Sequence, residues 1–171
     1  MLSLKIPQQV IINWNENSIQ VKGPLGVLVK RKGVFNLAIK DSILYLWTLS
    51  DLNKEAVYLA SIRNLVLGVT KGFTQKLRLV GVGFRATLQD KSLILKLGFS
   101  HEIKYDIPND ISILVSKSKG TVLIIKGKEN YKVQQVAREI RMLRAPDAYK
   151  GKGIHYKNEN LILKKGKRES K

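Results

Sequence analysis

The chain is expected to fold as an α+β protein of two similar small domains. Each would be an antiparallel sheet packed by one helix, and a basic C-terminal extension would come after them. Three observations lead there. Short apolar runs broken by turn residues fill 10–48 and 73–125. A helical apolar stripe succeeds each of these regions. The run Ser18-Ile19-Gln20-Val21-Lys22 is echoed 74 positions later by Ser92-Leu93-Ile94-Leu95-Lys96, as a duplicated module would require. The expected division is 1–72, 73–145 and an extension over 146–171.

The first strand pattern is Val10, Ile11 and Ile12, which stops at Asn13-Trp14-Asn15. Ile19 and Val21 alternate with Gln20 and Lys22, and Gly23-Pro24-Leu25-Gly26 reads as a tight turn. Val27 and Val29 begin the next strand. Residues 35–39 and 43–47 form two more around Lys40-Asp41-Ser42, which gives an antiparallel meander. Leu52, Ala56, Leu59, Ile62, Val66 and Val69 then step by 4, 3, 3, 4 and 3, one face of a helix. Ser50 or Asp51 can cap its start, and Gly68 or Gly72 can end it. Strand patterns resume at Phe73, flank Gly81-Val82-Gly83, turn at Asp90-Lys91, and continue through 92–97, 102–106, 111–115 and 122–125. Val133, Val136, Ala137, Ile140 and Leu143 make the second helix stripe, with Gln134, Arg138 and Arg141 on its other side. Ala145-Pro146 stops it.

Charge narrows the function. The 171 residues carry 31 Lys plus Arg against 13 Asp plus Glu, a formal +18. Such a charge repels itself unless a partner supplies negative charge. With 44% hydrophobic residues the chain still has a core to bury. The balance favours a polyanion over a small-molecule substrate. No cysteine is present, which removes disulfides, thiolate metal sites and Cys nucleophiles. The two histidines, His101 and His155, have no metal-ligand spacing. No cofactor and no metal is expected. No apolar run is long enough to span a membrane. Pro7, Gln8 and Gln9 interrupt the N-terminus too early for a signal peptide, and it lacks an Arg- and Ser-rich transit pattern.

Several motifs suggest chemistry that their context denies. Gly81-Val82-Gly83-Phe84-Arg85-Ala86 fits G-x-G-x-x-A, but a dinucleotide loop needs a helix opening at its last glycine. Here a short run leads to the Asp90-Lys91 turn, so a glycine-allowed bend is expected. Gly23-Pro24-Leu25-Gly26 fits the G-x-x-G of KH domains, yet it lies between strands rather than helices. Ser100-His101-Glu102 cannot form a relay by adjacency, because neighbours on a strand face opposite ways; His101 is expected as a partly exposed strand residue.

The informative stretch is 144–171, with 9 basic and 3 acidic residues, or +6 in 28. Within it Tyr149-Lys150-Gly151-Lys152-Gly153-Ile154-His155-Tyr156-Lys157 interleaves lysine, glycine and aromatic rings. Lysines pair with phosphates, rings stack on splayed bases, and glycines let backbone approach a sugar-phosphate strand. The expected phosphate contacts are Lys150, Lys152, Lys157, Lys164 and Lys165. Tyr149 and Tyr156 would pack or stack; Arg138 and Arg141, about one turn apart on the second helix, form either a second patch or ordinary solvated helix surface, and Arg144 is a further expected rRNA contact. Removing 149–171 should leave a folded body.

Residues 146–156, P-D-A-Y-K-G-K-G-I-H-Y, resemble the C-terminal signature of the bacterial-type large-subunit ribosomal protein six family, roughly P-E-P-Y-K-G-K-G-[IV]-R-Y. The resemblance runs back through Leu79-Val80-Gly81-Val82-Gly83-Phe84-Arg85-Ala86, Leu97-Gly98-Phe99-Ser100-His101 and Val21-Lys22-Gly23-Pro24-Leu25-Gly26. It implies two similar α+β domains and no catalysis. It implies assembly into the large ribosomal subunit through rRNA, near the base of the factor-binding stalk and the sarcin–ricin loop, beside the stalk-base proteins. The family's RNA-contacting tail maps onto Tyr149, Lys150, Gly151, Lys152, Gly153 and Tyr156. Ala148 replaces the usual second proline. His155 replaces arginine and loses a fixed bidentate charge. The bias to Lys, Ile and Asn favours a mitochondrial matrix ribosome over a plastid or bacterial one. A free RNA-binding regulator or chaperone is the alternative role.

Overall fold

The computed structural model describes residues 2–48, 52–116 and 120–164. The chain divides into two compact units. One comprises residues up to Phe73 with 128–130, and the other Thr74–Gly127 and Tyr131 onward.

The first unit has strands β1 (Leu2–Lys5), β2 (Ile11–Trp14), β3 (Ser18–Gly23), β4 (Gly26–Arg31), β5 (Asn36–Lys40) and β6 (Ile43–Trp47), then helix α1 (Leu52–Thr70). The expected single meander is instead two three-stranded sheets, β2-β3-β4 and β1-β6-β5. Lys32-Gly33-Val34-Phe35 separates β4 from β5. The far side of β6 is taken by β1, with Leu2 opposite Leu46 and Leu4 opposite Leu44. Turn chemistry fixes the hairpins. Asp41 and Ser42 both hold positive φ, 52° and 61°, as a two-residue type I′ connection demands. Helix α1 packs on β1, β3, β4 and β6, and Ile62 and Val69 join Val21, Leu44 and Leu46 in a fully enclosed core. The expected caps at Ser50 and Asp51 lie outside the described residues. Buried Glu55 accepts the Thr48 N–H at 3.1 Å, a bond that holds its carboxyl below the ordinary range. Gly72 ends the helix with φ 68°, its N–H reaching the Leu67 carbonyl at 3.0 Å.

The second unit repeats this plan. Strands β7 (Phe73–Val80), β8 (Arg85–Gln89), β9 (Ser92–Lys96), β10 (Ile103–Asp106), β11 (Ile111–Val115) and β12 (Val122–Gly127) precede helix α2 (Asn130–Leu143), and β13 (Gly153–Tyr156) comes after it. The sheets are β10-β9-β8 and β11-β12-β7-β13. The echoed pentapeptides become β3 and β9, each the central strand of its three-stranded sheet. Ile19 and Val21 point inward from one, Leu93 and Leu95 from the other. Gly81 to Gly83 is a turn, closed by the Phe84 N–H on the Gly81 carbonyl at 3.3 Å, and it leads into β8 rather than a helix. Val133, Val136, Ala137 and Ile140 bury one side of α2.

The C-terminal segment departs from expectation. Residues 153–156, placed in an extension, form a strand against β7, and Ile154 is fully buried opposite Leu79. Deleting 149–171 would remove this edge strand and the buried Ile154 from the sheet.

Candidate nucleic-acid interface

The basic segment begins where α2 ends. The Arg144 carbonyl accepts the Ile154 N–H at 2.8 Å, which draws the chain back against the helix terminus. Between them residues 147–152 close a compact turn. The Asp147 N–H donates to the Lys152 carbonyl at 2.8 Å, and the Gly151 N–H donates to the Asp147 carbonyl at 3.0 Å. The Asp147 carboxylate accepts the Lys150 N–H at 3.0 Å. That bond, with help from the Tyr149 N–H, holds the carboxyl below its ordinary range. The Lys164 N–H reaches the Ala148 carbonyl at 2.9 Å, tying the later chain to the turn.

Both glycines of the motif serve this geometry. Gly151 has φ 64° and is buried. Gly153 has φ 146°, and a Cβ there would stand 2.7 Å from the Ala145 carbonyl oxygen. Only glycine fits both the angle and the space. Both glycines are therefore buried, and their freedom of angle serves the turn and the entry to β13. His155 is half-buried and donates from Nε2 to the Gly151 carbonyl at 2.7 Å, since a carbonyl can only accept.

Tyr156 is half-buried, paired in register with Leu77. The Arg141 guanidinium lies over its ring at 5.4 Å from the centroid. Arg141 also grips Glu159 with two bonds, Nη2 to Oε1 at 2.6 Å and Nε to Oε2 at 3.2 Å. This pairing holds the Glu159 carboxyl below its ordinary range and Arg141 above its own. So Arg141 and Tyr156, both half-buried, are engaged with each other and with Glu159 within the fold.

What remains on the surface is Tyr149, 58% exposed, with Lys150, Lys152, Lys157, Lys164 and Arg138. Lys165 lies outside the described residues. Lys157 also borders a polar cleft of about 630 Å³ with Thr74, Lys76 and Lys126. These two lysines, on β7 and β12, were missed by sequence reasoning. Their strands are far apart in the chain, and only the sheet order brings them together. Among the described residues no cluster of metal-ligating side chains occurs, and no helix is long and apolar enough to cross a membrane. Ser100, His101 and Glu102 form no relay: Glu102 pairs with Lys96 at 2.9 Å. His101 lies in the loop before β10 rather than on a strand.

Residues 80–157 match the family described as ribosomal protein L6. A large ribosomal subunit protein uL6m from Reclinomonas americana is 41% identical over an alignment of 179 positions, covering 97% of this chain and 96% of the relative. A large ribosomal subunit protein uL6 from Mycoplasmoides gallisepticum is 39% identical, covering 96% of this chain and 92% of its own. One from Burkholderia thailandensis is 44% identical over 90% of this chain and 89% of its own.

Proposed function

The chain belongs to the ribosomal protein L6 family, and from that premise we propose that it anchors itself to large-subunit rRNA through the 147–152 turn and the basic chain beyond it. Its role is structural and non-enzymatic, as a constituent of the large ribosomal subunit. The contact region lies near the base of the factor-binding stalk and the sarcin–ricin loop, beside the stalk-base proteins. The observation that carries this reading is the turn itself. Its interior is closed by backbone bonds and buried glycines, while Tyr149, Lys150 and Lys152 point to solvent. A rigid turn offers its cations in fixed positions, which suits recognition of a folded phosphate backbone. For function we take 1–72 and 73–145 as two supporting bodies, β13 completing the sheet of the second, and the exposed residues of 146–171 as the contact segment. The compartment is the mitochondrial matrix, supported by the Lys, Ile and Asn bias and by the uL6m relative.

Replacing Lys150, Lys152 and Lys157 together by glutamine tests the reading without disturbing β13. The tagged wild type should sediment with large subunits after a high-salt wash, and the triple variant should be lost from them. Retention of the variant would overturn the contact assignment. Release of the wild type itself would favour an RNA-binding regulator outside the ribosome.

A further inference from the structure

The loop between β9 and β10 carries a second feature of the second unit. Leu97 is fully buried, Gly98 turns the chain with φ 76°, and Phe99 is thrown outward to 43% exposure. The Lys96–Glu102 ion pair at 2.9 Å closes the base of this loop. The His101 ring lies alongside Phe99, centroids 6.2 Å apart and planes 23° from parallel. The Arg144 guanidinium sits over the Phe99 ring at 4.5 Å. Arg144 also holds the Ile154 N–H through its carbonyl, so the rings stand beside the basic turn.

An exposed phenylalanine flanked by an imidazole and a guanidinium has the composition of a stacking surface. A guanidinium stacked by its face keeps its N–H edges for an anion. We propose that Phe99, His101 and Arg144 form a stacking site for one unpaired nucleobase of the bound RNA, with Arg144 meeting the adjoining phosphate. The site rests on the RNA-binding reading above and adds to it a contact that reads single-stranded rather than helical RNA.

Stacking and phosphate contacts separate by salt. The slope of log affinity against log salt counts neutralised phosphates, whereas stacking shifts affinity at constant slope. The experiment is equilibrium binding of the full chain to transcribed large-subunit rRNA across a salt series, with folding checked by circular dichroism. Phe99→Leu keeps apolar bulk but removes the π face. It should weaken binding by about tenfold with the slope unchanged. Phe99→Tyr should restore wild-type affinity. The double variant Lys150→Gln, Lys152→Gln should instead flatten the slope by about 1.5. If Phe99→Leu binds as wild type, or Phe99→Tyr loses as much as leucine does, stacking is overturned. A flattened slope in the lysine variant would then leave the RNA-binding reading standing. If the wild type shows no salt-dependent binding at all, both readings fall together.

Discussion

In the first unit one sheet runs β1-β6-β5; in the second the matching sheet runs β11-β12-β7 and continues to β13. The companion sheets, β2-β3-β4 and β10-β9-β8, have the same centre strand by position and by sequence echo. Each unit supplies one long helix. Past its helix the second unit adds three parts: the 147–152 turn, β13 and the Arg141–Glu159 pair. Charge obeys the same division. Residues 1–73 hold 9 basic and 4 acidic side chains, and the remaining 98 hold 22 and 9. The lysines of the 147–152 turn lie where the second copy departs from the first, whereas Phe99 and His101 lie within the repeated plan.

The largest test asks whether β13 belongs to its unit. Ile154→Ala removes a fully buried side chain opposite Leu79 and should cost about 3 kcal/mol in urea denaturation. Leu4→Ala on β1, a half-buried site opposite Leu44, should cost about half that. Equal or reversed losses would make β13 an appendage and break the comparison. Next comes function: Lys150→Gln with Lys152→Gln should weaken rRNA binding about tenfold near physiological salt while leaving the urea midpoint in place. Lys30→Gln with Lys32→Gln in the first unit should change binding far less.

A smaller effect belongs to Glu159. Its carboxyl is held low in the folded chain by Arg141, so the folded state binds a proton less readily than the unfolded one. The resulting stability is present above the unfolded carboxylate value of about 4.3 and is lost as pH falls through the lower folded value. Glu159→Gln should therefore destabilise by about 1 kcal/mol at neutral pH. The gap to wild type should close in the acid range. A gap that persists unchanged at the lowest pH would assign the loss to packing instead.

Much of the scaffold was legible because burial imposes a period. Ile19 and Val21, or Val133, Val136, Ala137 and Ile140, announce their faces by spacing alone. Pairing between distant strands is not local, so the split of the meander was not legible: β1 pairs with β6 across the intervening β2 to β5. Strand β13 was hidden by composition. Gly153-Ile154-His155-Tyr156 holds a single aliphatic side chain, and its glycine and neighbouring lysines read as a contact loop. At the site, the lysines of the turn were legible as charge. The inward tasks of Gly151, Gly153, Arg141 and Tyr156 were not, because each depends on a partner met only after folding. The grouping of Phe99 and His101 with Arg144 went unseen for the same reason, since Arg144 lies more than 40 residues away.

The finest test compares one hairpin from each unit. Between β5 and β6 both turn residues, Asp41 and Ser42, hold positive φ. Serine pays about 1 kcal/mol to sit there, whereas glycine does not. Ser42→Gly relieves that strain, although glycine also loosens the unfolded chain. The net gain should be about 0.5 kcal/mol, read as added hydrogen-exchange protection in β5 and β6. Between β8 and β9 the positive angle falls on Asp90, φ 52°, and not on Lys91. Lys91→Gly thus relieves nothing and keeps the entropic cost, so it should lose about 0.5 kcal/mol. The same residue type introduced at the second turn position should act with opposite sign in the two units. If both changes stabilise, the two turns share one backbone form, and the type I′ geometry no longer distinguishes the first unit from the second.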